Sequence, residues 1–383
     1  MNKKPYCTAP WIGIQIAEDG KVKVCCEANT VLGDVSKQPI EEIVDNEIHK
    51  KIKEDVLAGR KSDNCVKCFR RIEISGEAPM MNHSNRLYPD IEKGLQFVDL
   101  RWNNLCNLTC IYCNETASSS WMRKKGMKER FELRNVYDLS VENWLIEHTP
   151  NATLFLIGGE PMLIKQNQNL LSKISKDTTI NILTNMAYDM KSNPIFEQLL
   201  EWPADKVHWN MSMENTGEKY EWIRPGADWQ QVEDNIKFMR TTKFAESMTF
   251  VAVHGLFSGF DFFETYKTFF NLGVKKASVQ NLMGSPSLEI FECPRPMLEL
   301  ALEQLEKTYE WQQKELAPED RELYPIVNLD GVINKLKTLI ANDHKGSLTK
   351  ESFDRKINEL DQISGKSFKD LWPDVYELVQ QHC

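Results

Sequence analysis

The 383-residue sequence contains no continuous apolar run near the ~18 residues that a membrane span requires. No apolar segment follows Met1-Asn2-Lys3-Lys4-Pro5, so no secretory signal is evident and a cytoplasmic protein is expected. Positive charge is in deficit: the formal net charge is −9, which argues against the basic face that nucleic-acid binding needs. Basic residues gather only locally, at Arg123, Lys124, Lys125, Lys128 and Arg130, which read as a solvated helix face or as a site for an anionic substrate. Internal repeats and low-complexity tracts are missing as well. Histidine is scarce, at seven residues, and none lies close to the central cysteines, His83 and His148 being the nearest.

Cysteine is what the chain does have. Of ten cysteines, eight fall into two groups, Cys7, Cys25, Cys26, Cys65 and Cys68, then Cys106, Cys110 and Cys113. Cytosolic thiols stay reduced, so grouping of this kind points to metal or cluster ligation rather than to disulfides.

Three segments are expected: residues 1–92, rich in cysteine; 93–292, alternating strand-like and helix-like runs; and 293–383, helical. In the middle segment short β-forming runs fall at Leu95–Trp102, Thr153–Ile157, Thr179–Leu183, Val207–Ser212, Met248–His254 and Val274–Leu282. Helical patterns lie between them, as at Ile164–Ile174, Trp229–Arg240 and Asp261–Asn271. Six such units imply an α/β protein with a parallel sheet and right-handed crossovers, an open, partial (β/α)6 barrel. Beyond Pro294, helical spacing runs over Met297–Leu316 and Leu329–Ala341.

Cys106-x3-Cys110-x2-Cys113 follows directly on the first barrel strand. Three thiolates this close can hold three irons of a cubane and leave the fourth iron open for chemistry. Structural zinc is the competing reading, but it wants four tetrahedral ligands, and no fourth Cys or His is near. The run Cys106-Asn107-Leu108-Thr109-Cys110-Ile111-Tyr112-Cys113 resembles the signature of the radical S-adenosylmethionine (SAM) superfamily. That resemblance implies a catalytic [4Fe–4S] cluster on Cys106, Cys110 and Cys113, SAM chelated to the open iron, and Tyr112 near the adenine. It also implies reductive cleavage of SAM to a 5′-deoxyadenosyl radical that abstracts hydrogen, with an electron donor such as flavodoxin or ferredoxin.

Further motifs agree. Gly158-Gly159-Glu160-Pro161, closing the second strand, resembles the family's motif for the SAM amino group; two glycines permit close backbone approach, and a carboxylate suits an ammonium. Ser212 ends the fourth strand, and Arg224 follows twelve residues on. Related enzymes use such residues on the ribose and carboxylate of SAM; a surface salt bridge is the alternative for Arg224. Thr184, Asn185 and Leu282 resemble positions lining the ribose and adenine. All stand at C-terminal strand ends, the face where such barrels carry their sites.

The first group, Cys7-x12-Gly20-x4-Cys25 and Cys65-x2-Cys68 with Cys7–Trp11 as opening, resembles the auxiliary-cluster module of SPASM/twitch enzymes. The resemblance implies a second [4Fe–4S] cluster on Cys7, Cys25, Cys65 and Cys68, and a hairpin turned at Gly20. The module usually follows the barrel, whereas here it precedes it. Cys26 competes with Cys25, since adjacent strand residues face opposite ways, and zinc remains the rival occupant of a four-Cys site. Cys293 reads as an inert buried thiol or a hydrogen-atom donor; His254, ending the fifth strand, reads as structural or as touching substrate. The expected activity is hydrogen abstraction from a peptide or small molecule, a net oxidation or rearrangement assisted by the auxiliary cluster. A non-catalytic iron–sulfur or zinc scaffold is the alternative.

Overall fold

The computed structural model describes residues 5–75, 78–127 and 139–383; the expectations for Met1–Lys4, Lys128 and Arg130 lie outside them. The chain divides into two compact units that interleave in sequence. One comprises residues up to Cys106, Glu115–Leu183 and Ser192–His208, and the other Asn107–Asn114, Thr184–Lys191 and Trp209–Cys383.

In the first unit β1 (Gly13–Ile16), β2 (Lys21–Lys23) and β3 (Gly33–Asp34) form an antiparallel meander. Gly20 turns the hairpin at φ +82°, a left-handed conformation that glycine adopts without a Cβ penalty. Further strands are β4 (Phe97–Leu100), β5 (Thr153–Leu156) and β6 (Thr179–Thr184), each parallel to the one before. The side chains of β5 and β6 alternate in burial, with Leu154, Leu156, Ile180 and Ile182 inward. The sequence did not indicate that β1 would lie parallel to β4, pairing Ile14 with Val98 and Ile16 with Leu100. All four residues of β1 are buried, and its one long polar side chain, Gln15, donates to Asp99 Oδ2 at 2.9 Å. The N-terminal hairpin therefore continues the parallel sheet of this unit. The Arg123–Lys125 run lies at the end of the helix Ser119–Lys124, where Lys125 pairs with Glu115 at 2.6 Å and Arg123 donates to Ser120 Oγ at 2.7 Å.

In the second unit β7 (Val207–Ser212), β8 (Met248–His254), β9 (Lys276–Asn281) and β10 (Ile326–Val327) are parallel neighbours in that order. Parallel strands need crossovers, and these are helical, as Trp229–Arg240 and Phe262–Asn271 illustrate. Asp228 caps the first by accepting from Gln230 N, and the second stacks Phe269 on Phe250 at 4.6 Å between centroids. The six expected barrel strands are thus all present, β4, β5 and β9 shorter than expected by one to four residues and β6 longer by one, and β10 adds one more. Both helices expected beyond Pro294 form, over Arg295–Glu315 and Leu329–Ala341, and three more follow: Lys350–Ser364, Phe368–Leu371 and Pro373–His382. These last pack on the short helix Gly217–Ile223: Trp222 Nε1 donates to Asp361 Oδ1 at 2.7 Å, and its ring meets Trp372 edge-on. No helix among the described residues is long and apolar enough to cross a membrane.

Candidate active site and cluster-binding residues

In the first unit, Cys106 sits on the loop that leaves β4. Ser119 Oγ accepts from its amide at 3.1 Å, and Ser120 Oγ donates to its carbonyl at 2.7 Å, so the start of the helix Ser119–Lys124 holds the loop. Asn104 Nδ2 donates to the carbonyls of Glu115 and Thr116, and Asn103 Oδ1 accepts from Leu105 N. Gly158 and Gly159, after β5, both have positive φ, +88° and +49°. A Cβ on Gly159 would lie 2.1 Å from the Leu105 carbonyl oxygen, so only glycine fits here. The next amide, Glu160 N, donates to that same oxygen at 2.7 Å. Glu160 is 1% exposed, and its Oε1 accepts from Met162 N at 3.1 Å, across the Pro161–Leu163 turn. The glycine cradle is thereby pressed against the stretch that leads into Cys106, and a buried carboxylate follows it directly.

In the second unit, residues 107–113 run alongside Ile223–Gly226: Thr109 N donates to Pro225 O and Ile111 N to Ile223 O, both at 3.0 Å. Asn107, which the motif leaves unspecified, donates to Ala187 O at 2.6 Å and accepts from Asn185 Nδ2 at 3.0 Å. Asn185 is further fixed by Tyr220, whose hydroxyl donates to its carbonyl at 2.8 Å. Thr184 Oγ1 bonds to the Tyr188 hydroxyl at 3.2 Å. Ser212 ends β7 opposite Val251, and Leu282 N donates to His254 O at 3.1 Å.

Arg224 is not at the surface; it is 5% exposed beside a fully buried carboxylate, Glu214. The pair is bidentate, Nε to Oε2 at 2.9 Å and Nη2 to Oε1 at 2.7 Å. Tyr112 donates to Glu214 Oε1 at 2.8 Å and accepts from Arg224 Nη2, and Nη1 donates to Cys110 Sγ at 3.4 Å. Burial pulls the Arg224 guanidinium down, but the Glu214 carboxylate together with Tyr112, Cys110 and Tyr220 outweighs it and holds it well above its ordinary value. Burial pushes the Cys110 thiol up to about 12, against the nearby guanidinium. Tyr112 is likewise raised by burial, and its ring stacks on Phe257 at 5.8 Å. Glu214 was missed in the sequence; its signal is its place two residues past Ser212, at the end of β7.

The hairpin cysteines share the first unit. Cys7 is pushed up to about 12, by burial first and then by the thiols of Cys65 and Cys68. Cys25 is raised by burial, by Cys26, and by Cys7 and Cys68. Cys65 ends a short turn, and Cys68 lies in the first turn of the helix Val66–Ser75. Cys25 and Cys26 are past β2, in a turn where Ala28 N donates to Cys25 O, and not on a strand as expected. Different groups still act on the two thiols. The Cys26 thiol is pushed up to about 12 by burial first and then by Asp99 and Glu27, with Arg101, which forks onto Asp99 at 3.0 Å twice, opposing. Asn85 clamps the stretch around Cys7 by accepting from Thr8 N and donating to Tyr6 O. Among the described residues no three His, Cys, Asp or Glu side chains stand close enough to hold a single metal ion. Cys293 is fully buried, and its thiol is raised by burial and then by Cys383 and Glu292.

A parallel α/β protein with a cysteine loop pinned at strand ends, and a second set of thiols on a hairpin and a helix start, is the class these features define. Residues 101–280 match the model of the radical SAM superfamily, and residues 7–69, preceding them, match that of the SPASM iron–sulfur cluster-binding domain. These domains imply SAM, a [4Fe–4S] cluster and auxiliary iron–sulfur binding. The soft thiol donors, the buried carboxylate and the glycine cradle fit those groups. No curated protein matches the chain. Among similar solved structures are native anSMEcpe with bound AdoMet, at 16% identity over 56% of this chain and 59% of that one, TM-score 0.42. The same protein with AdoMet and the Kp18Cys peptide gives 17%, 57%, 61% and 0.42. Streptococcus suis SuiB gives 14% identity over 80% of this chain and 69% of that one, TM-score 0.42. The chain thus spans about three fifths of the length of anSMEcpe.

Proposed function

We propose that the protein is a radical SAM enzyme that cleaves SAM reductively and abstracts hydrogen from a peptide or small-molecule substrate. When bound, the cluster and SAM supply an electron and a 5′-deoxyadenosyl radical, which takes a hydrogen atom from an unreactive carbon. The observation that carries this reading is the fit of Gly158-Gly159-Glu160 against the Cys106 loop. A backbone shaped this closely has a use beyond holding a loop, because it delivers a buried carboxylate next to the loop that leads into Cys106.

In this reading Cys106, Cys110 and Cys113 are the cluster ligands. Glu160 takes the SAM amino group, with Gly158, Gly159 and Pro161 shaping its approach. Ser212, Thr184, Asn185, Leu282 and Tyr112 contact the ribose, carboxylate and adenine. Asn107 and Asn185 hold the loop between the cysteines, and Phe257 and Tyr112 exclude water from Cys110. Cys7, Cys25, Cys65 and Cys68 would hold the auxiliary cluster, which would supply a site to accept or relay the substrate's electron in a net oxidation. Cys293, buried and un-ionised, keeps the S–H bond that a hydrogen-atom donor requires. Residues 1–92, 93–292 and 293–383 serve as cluster module, barrel and helical extension. A cytoplasmic flavodoxin or ferredoxin fits as electron donor. Iron and sulfide analysis of the anaerobically reconstituted protein tests the cofactor set: about eight irons support it, and about four irons with zinc would overturn the auxiliary half.

A further inference from the structure

The side chain expected to clamp SAM is already engaged. Arg224 gives Nε and Nη2 to the two oxygens of Glu214, and Tyr112 braces the same pair by donating to Oε1. A guanidinium whose charge is matched by a bidentate carboxylate has little left to offer a second carboxylate. What the pairing does is fix direction, and the fixed direction is toward sulfur: Nη1 donates to Cys110 Sγ at 3.4 Å.

We infer that Arg224 is a positioning residue for Cys110, locked by Glu214 and Tyr112, and that its N–H···S bond sets the reduction potential of the cluster Cys110 holds. The inference rests on the reading of Cys106, Cys110 and Cys113 as cluster ligands. A hydrogen bond to a ligating sulfur stabilises the more negative, reduced cluster and so raises its potential. A lone buried arginine would add a full charge to a dry site, whereas the Glu214–Arg224 pair adds a directed donor and no net charge. The surrounding fold serves the same geometry. Arg224 follows the helix Gly217–Ile223, which Trp222 ties to Asp361, and the flanking backbone bonds Thr109–Pro225 and Ile111–Ile223 keep the cysteine loop in register with it.

The test uses the full-length, anaerobically reconstituted protein and the double variant Glu214→Gln/Arg224→Gln. Removing both partners leaves no unpaired buried charge and leaves the net charge beside the cluster unchanged, so a shift in potential reports the hydrogen bond. Arg224→Lys is the second variant; it keeps the charge but cannot span Glu214 and Cys110 together. Two quantities are read: the SAM-free midpoint potential of the cluster whose EPR signal responds to SAM, and the Kd for SAM by calorimetry. The expected result for both variants is a more negative potential with Kd changed by less than about threefold. An unchanged potential with Kd weakened about tenfold or more would overturn the inference and return Arg224 to the SAM carboxylate. An unchanged potential with unchanged Kd would overturn it too, leaving the pair a purely structural brace. A wild-type protein without a SAM-responsive cluster contradicts instead the reading on which the inference rests, and that is seen before any variant is made.

Discussion

Gly159 and Leu105 approach so closely that a Cβ on the glycine would stand 2.1 Å from the leucine's carbonyl oxygen. The atom it would meet is backbone, which cannot swing aside. Gly159→Ala is therefore expected to destabilise the protein by about 3 kcal/mol, combining overpacking with the positive φ, and to weaken SAM binding. Gly126 also has positive φ, +64°, but nothing lies within 4 Å of its Cβ position. Gly126→Ala should cost only the backbone term, about 1 kcal/mol. Denaturant melts of the two variants compare them directly; equal losses would mean that the cradle is not tight.

Glu160 is buried and also accepts from Met162 N. Glu160→Gln keeps an oxygen for that amide and removes only the charge. The affinity for SAM should fall about ten- to a hundredfold, the worth of one charge-assisted hydrogen bond, with little change in melting temperature. Calorimetry showing unchanged affinity would free Glu160 from the SAM amino group.

After burial, Cys26, Cys7 and Cys68 raise the Cys25 thiol, while Asp99 and Glu27 raise the Cys26 thiol and Arg101 lowers it. Cys25→Ala and Cys68→Ala should each remove the auxiliary cluster and leave SAM cleavage running uncoupled from substrate. Cys26→Ala should leave both clusters intact by EPR. The opposite pattern, with Cys26 essential and Cys25 dispensable, would put the ligand one residue later.

His254 ends β8 fully buried, with neither ring nitrogen partnered among the described residues. Burial alone pushes it down to about 4 from 6.5. The folded state favours the neutral ring, so this contribution is complete above about pH 6.5 and is lost as pH falls toward 4. The loss approaches roughly 3 kcal/mol. His254→Leu should flatten the fall in stability between those values, measured by denaturant titration at several pH values; an unchanged slope would assign acid sensitivity to other groups.

The strands, the crossover helices and the two cysteine groups were legible in the sequence because each is written in short-range spacing. Alternation over four to six residues marks β5 and β6, and Cys106-x3-Cys110-x2-Cys113 needs one loop only. The pairing of β1 with β4 was not legible, because Gly13–Ile16 reads as a hairpin strand and its parallel partner lies some eighty residues away. Glu214 was hidden for a related reason: it is an acidic residue in Met213-Glu214-Asn215, and only the fold brings it to Arg224. The expectation of a surface or SAM-bound Arg224 failed to include a carboxylate already beside it. Cys25 and Cys26 were separated by strand logic that does not hold in their turn, yet different groups act on their two thiols.

The central claim is that the loop of Cys106, Cys110 and Cys113 supports reductive cleavage of SAM. Its most direct test is 5′-deoxyadenosine formation by the anaerobically reconstituted protein with SAM and dithionite, followed by liquid chromatography. Wild-type protein is expected to form 5′-deoxyadenosine, and the Cys106→Ala/Cys110→Ala/Cys113→Ala variant to form none while keeping about four irons on the hairpin cysteines. A fully loaded wild-type protein that forms no 5′-deoxyadenosine, or a triple variant that forms as much as wild type, would contradict the claim.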